Sequence, residues 1–283
     1  MAATWRISFD KLRTEEPGAL DLLNLIAWLA PDDIPRDLLH STAESPLAFN
    51  RTVEALRRYS LVQTGDGVIS VHRLVQEVTR SGLEGAEEKR WAEAAVKLVN
   101  DAFPFYSEDY RNWPTCARLL PHALQVTDHG VRLSAGLQAV GRLSNQAGLY
   151  EKQRAQLRSA ERLYRRALAI GEKVHGPDHP TVAIRASNIG LLLKEQGDLA
   201  GALEYTRRAL GIGEKVYGPD HPNVAMRANN IGMILKEQGD LAGALEYTRR
   251  ALRIKQATYG PDNPSTKLTA ENLRLLEAQV ANP

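Results

Sequence analysis

The tripeptide Gly-Pro-Asp stands at Gly176, returns at Gly218 and returns again at Gly260, 42 residues apart each time. Between these landmarks, residues 188–210 and 230–252 agree at every position except Leu191/Met233 and Leu192/Ile234. A period of this size marks a stacked array, in which each unit buries its apolar face only against its neighbours. The repeat therefore restricts the fold before composition is considered.

Each unit reads as two helices. The first begins at Pro180, Pro222 and Pro264, because proline suits the first helical position, where the missing amide has no intrahelical partner. The residues before them, His179, His221 and Asn263, are the expected N-caps. Ile189, Leu192 and Leu193 share one helical face, and Gly197-Asp198 and Gly239-Asp240 end the first helix. In the second helix Ala202, Ala209 and Leu210 point inward, while Glu204 and Arg208 are spaced for an i, i+4 pair. Small residues keep one frame, Gly190, Ala202, Ala209 and then Gly232, Ala244, Ala251, as close helix crossings require. Gly148, Ala160 and Ala167 show the same frame upstream, so a diverged third pair precedes the two clear ones. A last helix over 264–280 carries polar residues where another repeat would dock, as a cap does.

The pattern G-P-D-H-P-x-V-A, N-I-G-x-x-L-K-E-Q-G-D, A-L-x-x-x-x-R-A-L resembles tetratricopeptide repeats of the kinesin-light-chain type, from about Arg132 to the C-terminus. That resemblance implies an all-α solenoid of helix-turn-helix repeats whose first helices line a concave groove for a protein or peptide. Asn188, Asn230 and Asn272 recur on those helices, with Arg185 and Arg227 one turn earlier and Thr269 at the third position. By resemblance, such an asparagine contacts the backbone of a bound peptide. An amide can donate and accept at once, and a nearby guanidinium can hold a carboxylate bidentately. The plainer alternative is that Asn188 bonds a neighbouring helix and the arginines are solvated. Tyr164 departs from the pattern, since Thr206 and Thr248 follow at its place and Tyr205 and Tyr247 stand one position earlier.

Residues 1–80 differ. Helices are expected over 20–30, 36–40, 47–58 and 72–80, with β-rich runs at 60–64 and 68–71 flanking the turn Gly65-Asp66-Gly67. This makes a winged-helix domain with a small β-hairpin, followed by a helical connector over 81–132 and the repeat domain over 133–283. Trp5, Ser8-Phe9, Leu12, Leu22-Leu23, Ala27-Trp28-Leu29-Ala30-Pro31 and Val71-His72-Arg73-Leu74-Val75-Gln76 resemble the winged helix of STAND (NB-ARC-like) regulatory ATPases. Trp91, Phe103-Pro104, Trp113-Pro114 and Leu119-Leu120-Pro121-His122 resemble the connector of those proteins. The resemblance implies that His72 senses the β-phosphate of ADP, although Val-His-Arg replaces the usual Met-His-Asp. A lone histidine at a strand-to-helix junction is more often a cap or a packed side chain, and phosphate sensing by His72 is expected only in a longer parent protein. The sequence has no G-x-x-x-x-G-K-[ST] and no Gly-Lys dipeptide, so ATP or ADP is expected only where a nucleotide-binding module is supplied elsewhere.

Charge narrows the partners. Residues 1–80 and 81–132 are each −2, whereas 133–283 are +6, which favours an acidic partner at the repeats. An acidic winged helix argues against the alternative reading, a DNA-binding regulator with helix 47–58 in the major groove and the repeats as sensor. The apolar run at 19–30 is broken by Asp21 and Asn24, and no stretch approaches the roughly 18 apolar residues of a membrane span. Cys116 has no second cysteine to pair with, and the expected location is the cytoplasm. Cys116 and His122 have no third catalytic group beside them, and the seven histidines form no metal motif, so neither enzyme activity, cofactor nor metal is expected. These features describe a protein-binding repeat module, the sensor part of a STAND-type signalling protein lacking its nucleotide-binding module.

Overall fold

Proline opens the first helix of each clear repeat and glycine closes the second, and this punctuation places the boundaries of the array. The structure is a computed structural model describing residues 2–281, with side chains from Ser8 onward; Met1, Asn282, Pro283 and the side chain of Trp5 lie outside the described residues. The chain forms two units, Met1–Tyr150 and Glu151–Pro283.

In the first unit α1 (Ala2–Glu15) leads into α2 (Pro17–Ile26), which buries Ala19, Leu22, Leu23, Leu25 and Ile26 along one stripe. The two-residue strand β1 (Ile34–Pro35) and the single turn α3 (Arg36–Leu39) follow. Then comes α4 (Pro46–Arg58), whose N-cap Ser45 accepts from the Ala48 amide at 3.2 Å. Strands β2 (Gln63–Gly65) and β3 (Val68–Ser70) form the expected hairpin. Its turn residues Asp66 and Gly67 both have positive φ, 40° and 77°, which suits the twist of a two-residue hairpin loop. The sheet is three-stranded and antiparallel in the order β1-β3-β2, with Ile34 opposite Ile69. Neither β1 nor α1 was anticipated. Asp32-Asp33-Ile34-Pro35 reads locally as a break, and only pairing with β3 makes it a strand.

The helix α5 (Arg73–Ser81) anchors the C-terminus of α2. Gln76, 4% exposed, donates from Nε2 to the carbonyls of Ile26 and Leu29, both at 3.0 Å, and Arg80 donates to that of Ala27. Orphan carbonyls at a helix end need such donors when buried. The helices α6 (Ala86–Ala102), α7 (Trp113–Leu133) and α8 (Leu137–Gln153) complete the order, with α6 packed on both α2 and α7. Trp28, Phe49, Ile69, Val96, Phe103 and Val126 are among the core residues of this unit.

The second unit stacks α9 (Leu157–His175), α10 (Pro180–Glu195), α11 (Leu199–Tyr217), α12 (Pro222–Gln238), α13 (Leu241–Tyr259) and α14 (Pro264–Ala281). The expected N-caps are present. Nδ1 of His179 and of His221 accept from the amides two residues on, at 3.2 and 3.1 Å, and Oδ1 of Asn263 does the same at 2.9 Å. His179 also stacks on His175, and His221 on Tyr217, each at 4.5 Å. Gly176, Gly218 and Gly260 close the second helices with φ of 79–86°, a region a side chain would strain. Arg208 departs from the expected i, i+4 pair: it binds Glu172 of α9 instead of Glu204, and Arg250 likewise binds Glu214 of α11. Adjacent layers hold the carboxylate closer than the helix's own next turn. In α14, Lys267, Arg274 and Glu277 take the places of Ala225, Gly232 and Leu235, so the outer face of the array is polar.

The helix pairs cross on glycine. A Cβ on Gly190 would lie 2.4 Å from Oγ1 of Thr206, and one on Gly232 would lie 2.5 Å from Oγ1 of Thr248. Thr206 is 1% exposed and donates to the Ala202 carbonyl at 2.7 Å. Threonine at 206 and 248, the positions matching Tyr164, is thus the side chain that fits this crossing. Gly190→Ala should destabilise the protein by about 1–3 kcal/mol through overpacking. Gly190→Ala with Thr206→Ala should recover part of that loss in urea unfolding, a non-additivity expected only for residues in contact.

Candidate functional site

The first helices α10, α12 and α14 present one face of matched residues. Asn188, Asn230 and Asn272 lie half-buried on it, four residues after Ile184, Met226 and Leu268 and three before Leu191, Met233 and Leu275. Ile184, Met226, Leu268 and Leu275 are 52%, 47%, 64% and 46% exposed. Spacing of i, i+4, i+7 puts all nine on one helical stripe. Asn188 is engaged within the chain, whereas no hydrogen bond or ion pair within the described residues occupies Asn230 or Asn272. The amide row is therefore flanked on one side by an exposed apolar row and on the other by half-buried Leu191 and Met233 with exposed Leu275. Sequence reasoning found the amides and missed their apolar neighbours. The available signal was an apolar residue every 42 positions at a place where a solvated helix face carries polar ones.

Arg185 and Arg227 are elsewhere. They are 5% and 1% exposed and point between helices, which corrects the expectation that they grip a ligand carboxylate. Arg185 donates from Nη1 to the Ala167 carbonyl at 2.6 Å and lies over Gly171, where a Cβ would come within 2.5 Å. Arg227 donates to the Asn223 carbonyl at 2.9 Å and lies over Gly213. Burial holds both guanidinium groups below their ordinary value. The third layer inverts the arrangement. Lys255 occupies the glycine position and donates to Oγ1 of Thr269, at the arginine position, at 2.8 Å. One inward-facing cation per layer is kept, but in the third it is half-buried and arrives from the opposite helix.

In the first unit His72 is an N-cap, its Nδ1 accepting from the Leu74 amide at 3.2 Å while the ring stays exposed beside Arg73. Two of the three α4 arginines face carboxylates, Arg57 with Glu54 at 3.7 Å and Arg58 with Glu15 at 3.9 Å. Cys116 is fully buried, which pushes its thiol up to about 11, so it supplies no thiolate near neutral pH. His122 is 1% exposed, with Nε2 3.4 Å from the Asp33 carbonyl oxygen. Among the described residues no group of His, Cys, Asp or Glu side chains is arranged to hold a metal ion.

His129 of α7 meets the edge of Trp28 at 5.0 Å and pairs with Gln125 at 2.9 Å. Burial, with Arg80 and Arg132 nearby, lowers its imidazole to about 4.

Comparison with known proteins follows this division. Residues 140–215 and 184–257 match the tetratricopeptide repeat family, and residues 7–88 match a domain of unknown function, DUF7779. A nucleotide-binding leucine-rich repeat (NLR)-like protein of Hyaloscypha variabilis is 28% identical over 181 residues, 63% of this chain. The chain spans only 18% of that protein's length. Among solved structures, BtubC (BKLC) from P. vanneervenii is similar at TM-score 0.50 and 16% identity, over 70% of this chain and 86% of that one. A kinesin-light-chain candidate of Podosopora anserina with nearly identical TPR-like repeats is similar at TM-score 0.51 and 14% identity, over 70% of this chain and 100% of that one. Both likenesses concern the fold, an all-α array of tetratricopeptide type.

Two outcomes are expected. Arg227→Thr should lose about 2–4 kcal/mol of stability through the volume it empties, and adding Gly213→Lys should restore about 1 kcal/mol or more by copying the third layer. Chemical denaturation of the two single variants and the double variant measures that coupling. The second outcome concerns acid. Because His129 is held neutral in the fold, the unfolded chain binds its proton first as pH drops below about 6.5. Stability is then fully present above that pH and declines until about 4, by about 2 kcal/mol after allowing for the ring's partial exposure. His129→Gln should flatten that stretch of a urea-midpoint profile against pH.

Proposed function

We propose, from the premise that residues 140–257 are tetratricopeptide repeats, that this chain binds an extended protein segment along the Asn188–Asn230–Asn272 face. The observation that carries the reading is the pair of apolar rows beside the amides of Asn230 and Asn272, which no partner among the described residues occupies. Exposed apolar side chains repeated in register are what a partner's side chains can cover, and the amides between them can bond its backbone. Such backbone bonds tolerate many sequences, so the apolar rows supply the selection.

The similarity to an NLR-like protein supports a further step, that the chain acts as the sensor part of a larger STAND-type signalling protein. Binding at the repeats would then release an inhibited state elsewhere in that protein. His72 would meet nucleotide only from a module outside this sequence. No helix among the described residues is long and apolar enough to cross a membrane.

Selection of random dodecapeptides on the full chain, followed by affinity measurement on variants, tests the groove. Selected peptides should bind Met226→Ser with Asn230→Ala about tenfold or more weakly, the equivalent of one or two lost buried contacts. Arg57→Ala with Arg58→Ala on the winged helix should leave their affinity unchanged. Equal binding to the groove variant and the unaltered chain would remove the groove assignment.

A further inference from the structure

One row on the first-helix face is unfinished. Lys152 of α8 pairs with Glu195 of α10 at 2.8 Å, and Lys194 of α10 pairs with Glu237 of α12 at 2.6 Å. Each rung joins a lysine to a carboxylate 43 residues on. At the next rung the residue 43 positions after Lys236 of α12 is Gln279 of α14, which has no charge to offer. Glu237, the neighbouring carboxylate, is already taken by Lys194. Lys236 is exposed and makes no ion pair or hydrogen bond from its side chain among the described residues.

This cation borders a cavity of about 250 Å³ between α12, α13 and α14. Asn229, Met233, Lys236, Glu237, Thr248 and Asn272 are among the residues that line it, with Leu276 at its base. It thus combines an unpaired ammonium, two amides and a hydroxyl with an apolar floor, and the one carboxylate at its edge, Glu237, is neutralised by Lys194. The two completed rungs show what the position accepts, a single carboxylate within ion-pair distance.

We infer that the segment bound along this face carries an aspartate or glutamate side chain that pairs with Lys236, completing the row its own chain leaves open. The inference rests on the groove reading and adds the partner's chemistry. Spacing adds the partner's pattern. α10 and α12 bring Cα atoms within 8 Å, and packed helix axes lie about 8–10 Å apart. A polyproline-II segment rises about 3.1 Å per residue and repeats its face every third residue, about 9.3 Å. A β-strand repeats its face every second residue, about 6.6 Å, and falls out of step with the helices. The segment therefore presents an apolar side chain at every third position, and the acidic residue sits beside the one covering Met233.

The test uses the full chain and two acetylated, amidated synthetic peptides, free of terminal charge. Both carry leucine at every third position; one has glutamate beside the outermost leucine at each end, the other glutamine. By fluorescence anisotropy the glutamate peptide should bind about fivefold to tenfold more tightly than its glutamine twin. Lys236→Ala should bring that ratio close to one without weakening the glutamine peptide. Gln279→Glu, which supplies the missing carboxylate internally, should also shrink the ratio. Asn230→Ala should weaken both peptides alike. Equal binding of the two peptides to the unaltered chain would overturn the carboxylate pairing and leave the groove standing. Failure of both peptides to bind, while selected dodecapeptides bind, would overturn the three-residue pattern and with it this inference. Insensitivity of every peptide to Asn230→Ala would instead strike the groove itself.

Discussion

The contact of Gly190 with Thr206, repeated by Gly232 with Thr248, sets the distance at which two helices of a repeat can cross. Everything on the first-helix face follows from that distance. A closer crossing brings more apolar surface of Ile189, Leu193 and Ala202 out of water, and dispersion grows with each added atom pair. It also fixes how far each first helix is rolled. The roll decides that position 188 is half-buried, that 185 points inward and that 184 faces water. A larger residue at 190 would part the helices and turn the whole stripe.

The inward-facing cations show how a repeat array tolerates change. Arg185 over Gly171, Arg227 over Gly213 and Lys255 over Thr269 are three answers to one steric and electrostatic demand. An arginine needs a glycine opposite because its guanidinium fills the space a Cβ would take. When lysine moves to the glycine position, the facing residue shrinks to threonine and its hydroxyl accepts the proton donor. Each cation is bonded to a carbonyl or hydroxyl oxygen and meets no carboxylate, so it holds neighbouring layers in register while adding little net energy. The surface ion pairs behave differently. Lys194 with Glu237 and Arg208 with Glu172 join successive layers at their rims, where water and salt weaken them.

Much of this was legible in the residues. The helix pairs, their caps at His179, His221 and Asn263, the hairpin at Asp66-Gly67 and the polar final helix all depend on local chemistry, and local chemistry is written along the chain. The strand at Ile34-Pro35 was not legible, because two residues have no period and become a strand only when β3 lies beside them. The side chains of Arg185 and Arg227 were misplaced for a related reason. Helical spacing groups Arg185 with Asn188, but three residues along a helix turn by about 300°, so the two can fall on opposite sides of a narrow stripe. Which side faces a neighbour depends on the crossing angle.

The sequence by itself determined the architecture: a 42-residue period, prolines and caps at fixed offsets, and small residues where backbones meet. These are one-dimensional signals, since each arises within a turn or two of helix. Only the tertiary structure decided which repeated residues meet a partner. It withdrew two arginines into the interior, exposed Ile184, Met226 and Leu268 beside the asparagines, and left Lys236 without the carboxylate that its two predecessors have. Burial and pairing are properties of neighbours brought together across layers, and a residue's type does not say which neighbours it will have.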